Sequence, residues 1–248
     1  MPRKTGEMTE ATAALETTAA EKSRTLLAQA NRLGARYHPT WPLAILLIPL
    51  IAVATVSSVL QVAALSALIG AGGEFIANTA LNEEAVRMSA ISTGSFLLGV
   101  AVWSVGISVV IGNVPALVAR WPRYGWISSL LGVWIPFVNL KRPFAVVREV
   151  CSQLSERPNG AVLVAAAWWL CILLWIFGSN FVTIGRVLGR SDATRLQSAL
   201  VGEQFGLIFF VPAGIFAIGV VISIERLQRQ ALHRRETTVL MADGAAPA

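Results

Sequence analysis

Residues 120–143 read RWPRYGWISSLLGVWIPFVNLKRP, and the path of this stretch decides the fold of the whole chain. Its middle, Tyr124–Leu140, is uncharged, with Arg120 and Arg123 before it and Lys141 and Arg142 after it. Four longer uncharged windows lie around it in the 248-residue sequence: Trp41–Gly73, Met88–Ala119, Pro158–Gly185 and Gln204–Ile224. Each of the four reaches the roughly 20 apolar residues that a helix needs to cross about 30 Å of hydrocarbon. The fifth falls short of that standard and contains Pro136 and Asn139. The composition follows from the windows, with 55% hydrophobic and 14% charged residues, against about 25% charged in a soluble domain. A soluble globule, a collagen-like or disordered chain and a disulfide-stapled secreted module are all excluded. The expectation is an all-α integral membrane bundle.

Charge then decides between four spans and five. If Tyr124–Leu140 crosses, eleven Lys and Arg fall on one side and nine on the other. If it dips in and returns, or lies in the interface, sixteen fall on the N-terminal side and only Arg87, Arg186, Arg190 and Arg195 on the other. Short cytoplasmic loops carry the excess of Lys and Arg, so the second arrangement is expected, with both termini cytoplasmic in a bacterial inner membrane. The three arginines of 186–195 run against this bias. A re-entrant piece must hide its backbone groups in protein or a wet cavity, so the spans are expected to pack around 124–140, with Trp121, Trp126 and Trp134 at interface depth.

Outward from this centre, residues 1–40 read as a flexible cytoplasmic segment with a short amphipathic helix over Lys22–Arg36, where Leu26, Leu27, Ala30 and Leu33 recur at helical spacing. Pro39 and Pro42 break that pattern, and Pro42 suits the first turn of the next helix. The transmembrane domain is placed at 41–224, with spans at about 43–69, 91–112, 162–183 and 205–224. Pro212 predicts a kink in the last. Residues 225–248 are expected to form a basic cytoplasmic helix and a disordered tail. Between the second and third spans, Phe144, Val147, Val150, Cys151 and Leu154 share one arc of a helix over 143–156. That arc fits either a helix lying on the membrane surface, its neighbours Lys141 and Arg142 near anionic lipid headgroups, or a linker packed on the spans.

The chemistry is mostly absent. Neither His38 nor His233 lies in a window, no His-Glu-x-x-His occurs, and no phosphate-binding glycine loop or Cys-x-x-Cys is present. No catalytic, cofactor-binding or metal-ligating residues are assigned. The net charge of +6 belongs to window flanks rather than to a nucleic-acid surface. Ionisable residues inside the bilayer mark ion pathways, and the four spans contain none. Their polar residues, Gln61 and Asn113 with scattered Ser and Thr, join small-residue stripes: Ala54, Ser57, Gln61 and Ala64 on the first span, and Ser92, Ser95, Gly99 and Gly106 on the second. Close helix packing accounts for such stripes.

The stretch from Trp134 to Glu149 resembles the signature of an uncharacterised bacterial multi-pass membrane family, domain of unknown function forty-three twenty-eight. The matching positions are Trp134, Pro136, Asn139, Leu140, Pro143, Phe144, Arg148 and Glu149. Trp168-Trp169 is similar to that family's paired tryptophan, and Arg226–Gln228 to its closing basic-Gln ending. Asn113 is similar to an asparagine after its second span, although Ser108–Ile111 replaces the basic residues that usually precede it. The resemblance implies an integral membrane protein and supplies no substrate. Asn139 is expected to cap the helix beginning at Pro143, with Arg148 and Glu149 clamping the returning loop. The functional expectation is a non-enzymatic scaffold or accessory subunit, with lipid, other membrane proteins or a second copy as partners. The rival is a small channel or permease constricted at 124–140.

Overall fold

The computed structural model describes residues 36–70, 79–118, 120–132, 141–155, 159–188 and 192–244. Among them every regular element is helical. In chain order these are α1 (Trp41–Gly70), α2 (Thr79–Val118), α3 (Trp126–Gly132), α4 (Arg142–Leu154), α5 (Asn159–Leu188) and α6 (Asp192–Gly244). Four helices are long and apolar enough to cross a membrane, over Trp41–Gly70, Glu83–Val118, Gly160–Gly178 and Leu200–Thr237. In their most apolar stretches only 17% to 28% of residues are buried inside the bundle. Outward-facing side chains such as Ile45, Leu46, Leu163, Ile208 and Ile215 are more than half exposed. An apolar exterior on this scale suits oil as the surrounding solvent, not water.

The helices outrun their apolar windows. α2 begins at Thr79, so Glu83, Glu84 and Arg87, expected in a loop, lie on its first turns, where Glu84 and Arg87 form an i,i+3 ion pair. The bilayer limits the apolar window, whereas propensity and side-chain pairing set the length of the helix. α6 runs 53 residues, through Pro212 and on to Gly244. Met241–Gly244, expected in the tail, is therefore helical. The amphipathic helix expected at Lys22–Arg36 lies outside the described residues, apart from Arg36 itself.

Helices α1 and α2 pair as one hairpin and α5 and α6 as another, and α6 lies against α1 to join them. The stripes work as close-packing surfaces here. Ser92 donates to the Ala54 carbonyl at 3.2 Å and its Oγ lies 2.6 Å from that of Ser58. Gly214 of α6 sits so close to α1 that a Cβ added there would stand 2.7 Å from Thr55 Oγ1.

The densest packing lies at one end. Ile107, Val110 and Val114 of α2, Trp168 of α5 and Val220 and Ile224 of α6 meet there, and the α4 arc of Val146, Val147, Val150, Cys151 and Leu154 is buried among them. The α4 arc thus packs on the long helices, as in the linker reading. We call this the basic end, because Arg123, Lys141, Arg142, Arg148, Arg226, Arg229 and Arg234 gather around it. Both flanks of 124–140 reach it: the Arg142 guanidinium lies 5.4 Å from the Tyr124 ring centroid, and the Glu149 carboxylate accepts the Arg123 N–H. Trp121 and Trp126 are exposed there.

Candidate functional site

At the basic end, where α1 starts, α2 finishes and α6 leaves the apolar window, five residues form a polar junction. Asn113 is fully buried on the last turns of α2. Its Oδ1 accepts the His38 backbone N–H at 2.8 Å, and its Nδ2 donates to the His38 carbonyl at 2.7 Å. The second Nδ2 proton goes to Gln228 Oε1 at 2.8 Å. Gln228, also fully buried, donates from Nε2 to Thr40 Oγ1 at 2.9 Å, and the Thr40 hydroxyl donates to the Glu225 carboxylate. Only one orientation of the Asn113 amide works, because a flipped amide would set donor against donor at His38.

Local sequence explains each position. Pro39 and Pro42 keep residues before α1 out of helix, so the backbone of His38 is free to pair with a side chain. The Thr40 carbonyl accepts the first α1 amides, from Leu43 at 3.0 Å and Ala44 at 3.2 Å, while its hydroxyl is spent on the junction. Pro115 lies inside α2 two residues beyond Asn113. Glu225 and Gln228, three residues apart on α6, share a face. Tyr37 packs beside them. Burial is the main cause that raises its phenol above the ordinary value, with the Glu225 charge adding and Arg229 opposing.

The motif residues fare unevenly. Trp134, Pro136, Asn139 and Leu140 lie outside the described residues. The N-cap of α4 is Lys141, which makes no side-chain capping bond, and Pro143 fills the first turn, where its missing N–H costs nothing. The N-cap position is Lys141, and Asn139, expected to cap this helix, lies outside the described residues. Pro143 is buried, Phe144 packs on the core, and Arg148 is exposed. Glu149 does clamp, although what it holds is the Arg123 segment, with Gln153 Nε2 donating to the same carboxylate at 3.0 Å. From α6, Arg234 donates to the Leu154 carbonyl at 2.6 Å, which ties down the end of α4. Lys141 is exposed and Arg142 is half-buried over Tyr124.

Below the junction, away from the basic end, the bundle opens into a groove of about 310 Å³, walled by side chains from all four long helices and reached by Pro143 of α4. Aromatic rings dominate it, among them Phe96, Trp103, Trp168, Trp175 and Phe210; Thr55 and Ser95 carry its only hydroxyls among the described residues. Thr55 is already committed to the Ile51 carbonyl at 2.8 Å. Among the described residues no three His, Cys, Asp or Glu side chains come together as a metal site.

Sequence reasoning found Asn113 and, by resemblance, Gln228, but not their union with Thr40 and Glu225. The available signal was a polar residue just beyond the end of each of three expected spans, on segments expected at the same membrane face. No family model, curated protein or solved structure matches the chain.

Proposed function

We propose that the chain is a multi-pass membrane protein of the bacterial inner membrane that works without catalysis, as a scaffold or accessory subunit. Its basic end and both termini face the cytoplasm, and 124–140 enters and leaves from that face. Membership of the family that residues 134–149 resemble is part of the same proposal and rests on that motif. The observation that carries the functional reading is the closed junction. The two fully buried amides among the described residues, Asn113 and Gln228, are occupied with each other, with the His38 backbone and with Thr40. Groups consumed in mutual hydrogen bonds hold elements in register and are not free to pass protons or bind a hydrated ion. The meeting of Tyr124 with Arg142, and of Arg123 with Glu149, supports a segment that returns to its own side.

A conduction path has less to support it. Gln61 lies some 20 residues along α1 from Thr40, about 30 Å at 1.5 Å per residue, and the groove walls between them are apolar apart from the Thr55 and Ser95 hydroxyls and the indole N–H groups. Two measurements test the proposal together. Purified protein in liposomes is expected to pass no ions or small solutes above empty vesicles. Crosslinking in native membranes is expected to return the same membrane-protein partner, or a second copy, at saturable yield. Flux that changes with Gln61→Leu would overturn the reading.

A further inference from the structure

The bundle is left open on one side. The hairpins meet through α1 and α6, which leaves α2 and α5 as the outer helices, and no Cα atoms of these two lie within 8 Å of each other among the described residues. Aromatic rings span the gap. Trp103 meets Trp168 with centroids 5.2 Å apart, and Phe96 meets Trp175 at 5.3 Å. The two bridges are seven residues apart on each helix, so they frame a window about 10.5 Å tall. Val100 and Ile172 lie between the bridges and line the groove. The space behind lies in the size range of ligand pockets, and cavities lined by carbon stay dry and admit apolar molecules. At this depth in a bilayer the apolar molecules at hand are lipid chains.

What stands at the end of the groove narrows the occupant further. Pro143 lines it, and the two residues before Pro143 are Lys141, exposed, and Arg142, whose Nε is buried with no hydrogen-bond partner among the described residues. An arginine fork matches phosphate oxygens, and this one keeps a donor in reserve while its guanidinium rests on Tyr124. A carbon-lined slot that ends beside two cations matches a molecule with a hydrocarbon chain and an anionic head.

We propose that the α2–α5 groove holds one anionic glycerophospholipid, with an acyl chain between the aromatic bridges and its phosphate at Lys141 and Arg142. A zwitterionic lipid fills the same slot but carries a compensating positive charge that those cations repel. The site rests on the membrane placement proposed above, which alkaline carbonate extraction tests by itself.

The experiment is native mass spectrometry of the full-length protein after delipidation and exchange into mixed micelles containing phosphatidylglycerol or phosphatidylcholine. The unaltered protein is expected to retain one phosphatidylglycerol and to prefer it over phosphatidylcholine. Each of Lys141→Gln and Arg142→Gln is expected to weaken phosphatidylglycerol about fivefold and to leave phosphatidylcholine unchanged. Ile172→Phe, which fills the slot, is expected to abolish retention of both, and Val100→Phe serves if that variant does not fold. No retained lipid, equal retention of the two lipids, or unchanged retention in the filled variants would each overturn the proposal.

Discussion

If the junction at the basic end is one coupled unit, its two buried amides must depend on each other. Asn113→Leu removes three hydrogen bonds. The His38 N–H and carbonyl belong to an exposed residue and rehydrate, at a net loss of about 0.5–1.5 kcal/mol each. Gln228 Oε1 is fully buried and cannot rehydrate, so it adds the desolvation cost of an orphaned acceptor, about 1–3 kcal/mol. The expected sum is about 2–6 kcal/mol. Gln228→Leu strands one Asn113 N–H in the same way, at about 1–3 kcal/mol, while Thr40 keeps its bond to Glu225. With both changed, neither stranded group remains. The double variant is therefore expected to be more stable than the sum of the single losses, by the two orphan costs together, about 2–6 kcal/mol. Unfolding of all four proteins by SDS titration in one detergent, followed by tryptophan fluorescence, measures the cycle. A coupling within about 0.5 kcal/mol of zero, the range of independent sites, would refute a shared junction.

Other parts of the molecule give sharp expectations as well. Gly214→Val drives a side chain into Thr55 and is expected to cost about 1–3 kcal/mol by overpacking; Thr55→Ala in the same protein recovers part of the loss in a thermal melt, and no recovery would remove Thr55 as the obstacle. Single cysteines at positions 120 and 141, in a background without Cys151 and Cys171, are expected to label from the same face of the cell envelope, and opposite faces would mean that 124–140 crosses. Glu149→Ala releases the Arg123 N–H, so trypsin is expected to cleave after Arg120 or Arg123 faster than in the unaltered protein, with equal rates showing that the clamp holds nothing. Burial pushes the Cys151 thiol up to about 11 from an ordinary 9, so the fold favours the thiol over the thiolate. Its contribution to stability is whole below pH 9 and is lost as pH rises towards 11. In a Cys171→Ala background at pH 7.5, maleimide is expected to leave Cys151 unmodified until SDS is added, and labelling at the rate of an exposed cysteine would contradict its burial.

The apolar windows located all four long helices, because the need to match hydrocarbon is written into composition. They said little about where those helices stop. Glu83, Glu84 and Arg87 ended the window without ending α2, since charged residues that form helix well are excluded from oil and not from helix. The arc on α4 was equally legible, yet period alone could not say whether it meets lipid or protein; the neighbours Val110, Trp168 and Ile224 decided that. The junction was the least legible feature. Its hydrogen-bonded pairs stand 75 to 188 positions apart, and the pairing of Asn113 with Gln228 depends on which helix end lies beside which. The groove was invisible for a related reason. Phe96, Trp103, Trp168 and Trp175 look like ordinary aromatic residues of membrane helices until the backbones of the two helices that carry them are found to stand apart.

The spacing between Asn113 and Gln228 also orders events at the ribosome. The α1–α2 hairpin is complete when Asn113 has been made, but 115 residues must still be translated before Gln228 can reach it. At the usual 5–20 residues per second the nascent chain waits about 6–23 seconds with one Asn113 N–H unmatched. A product cut short anywhere in that interval never gains the partner for that N–H.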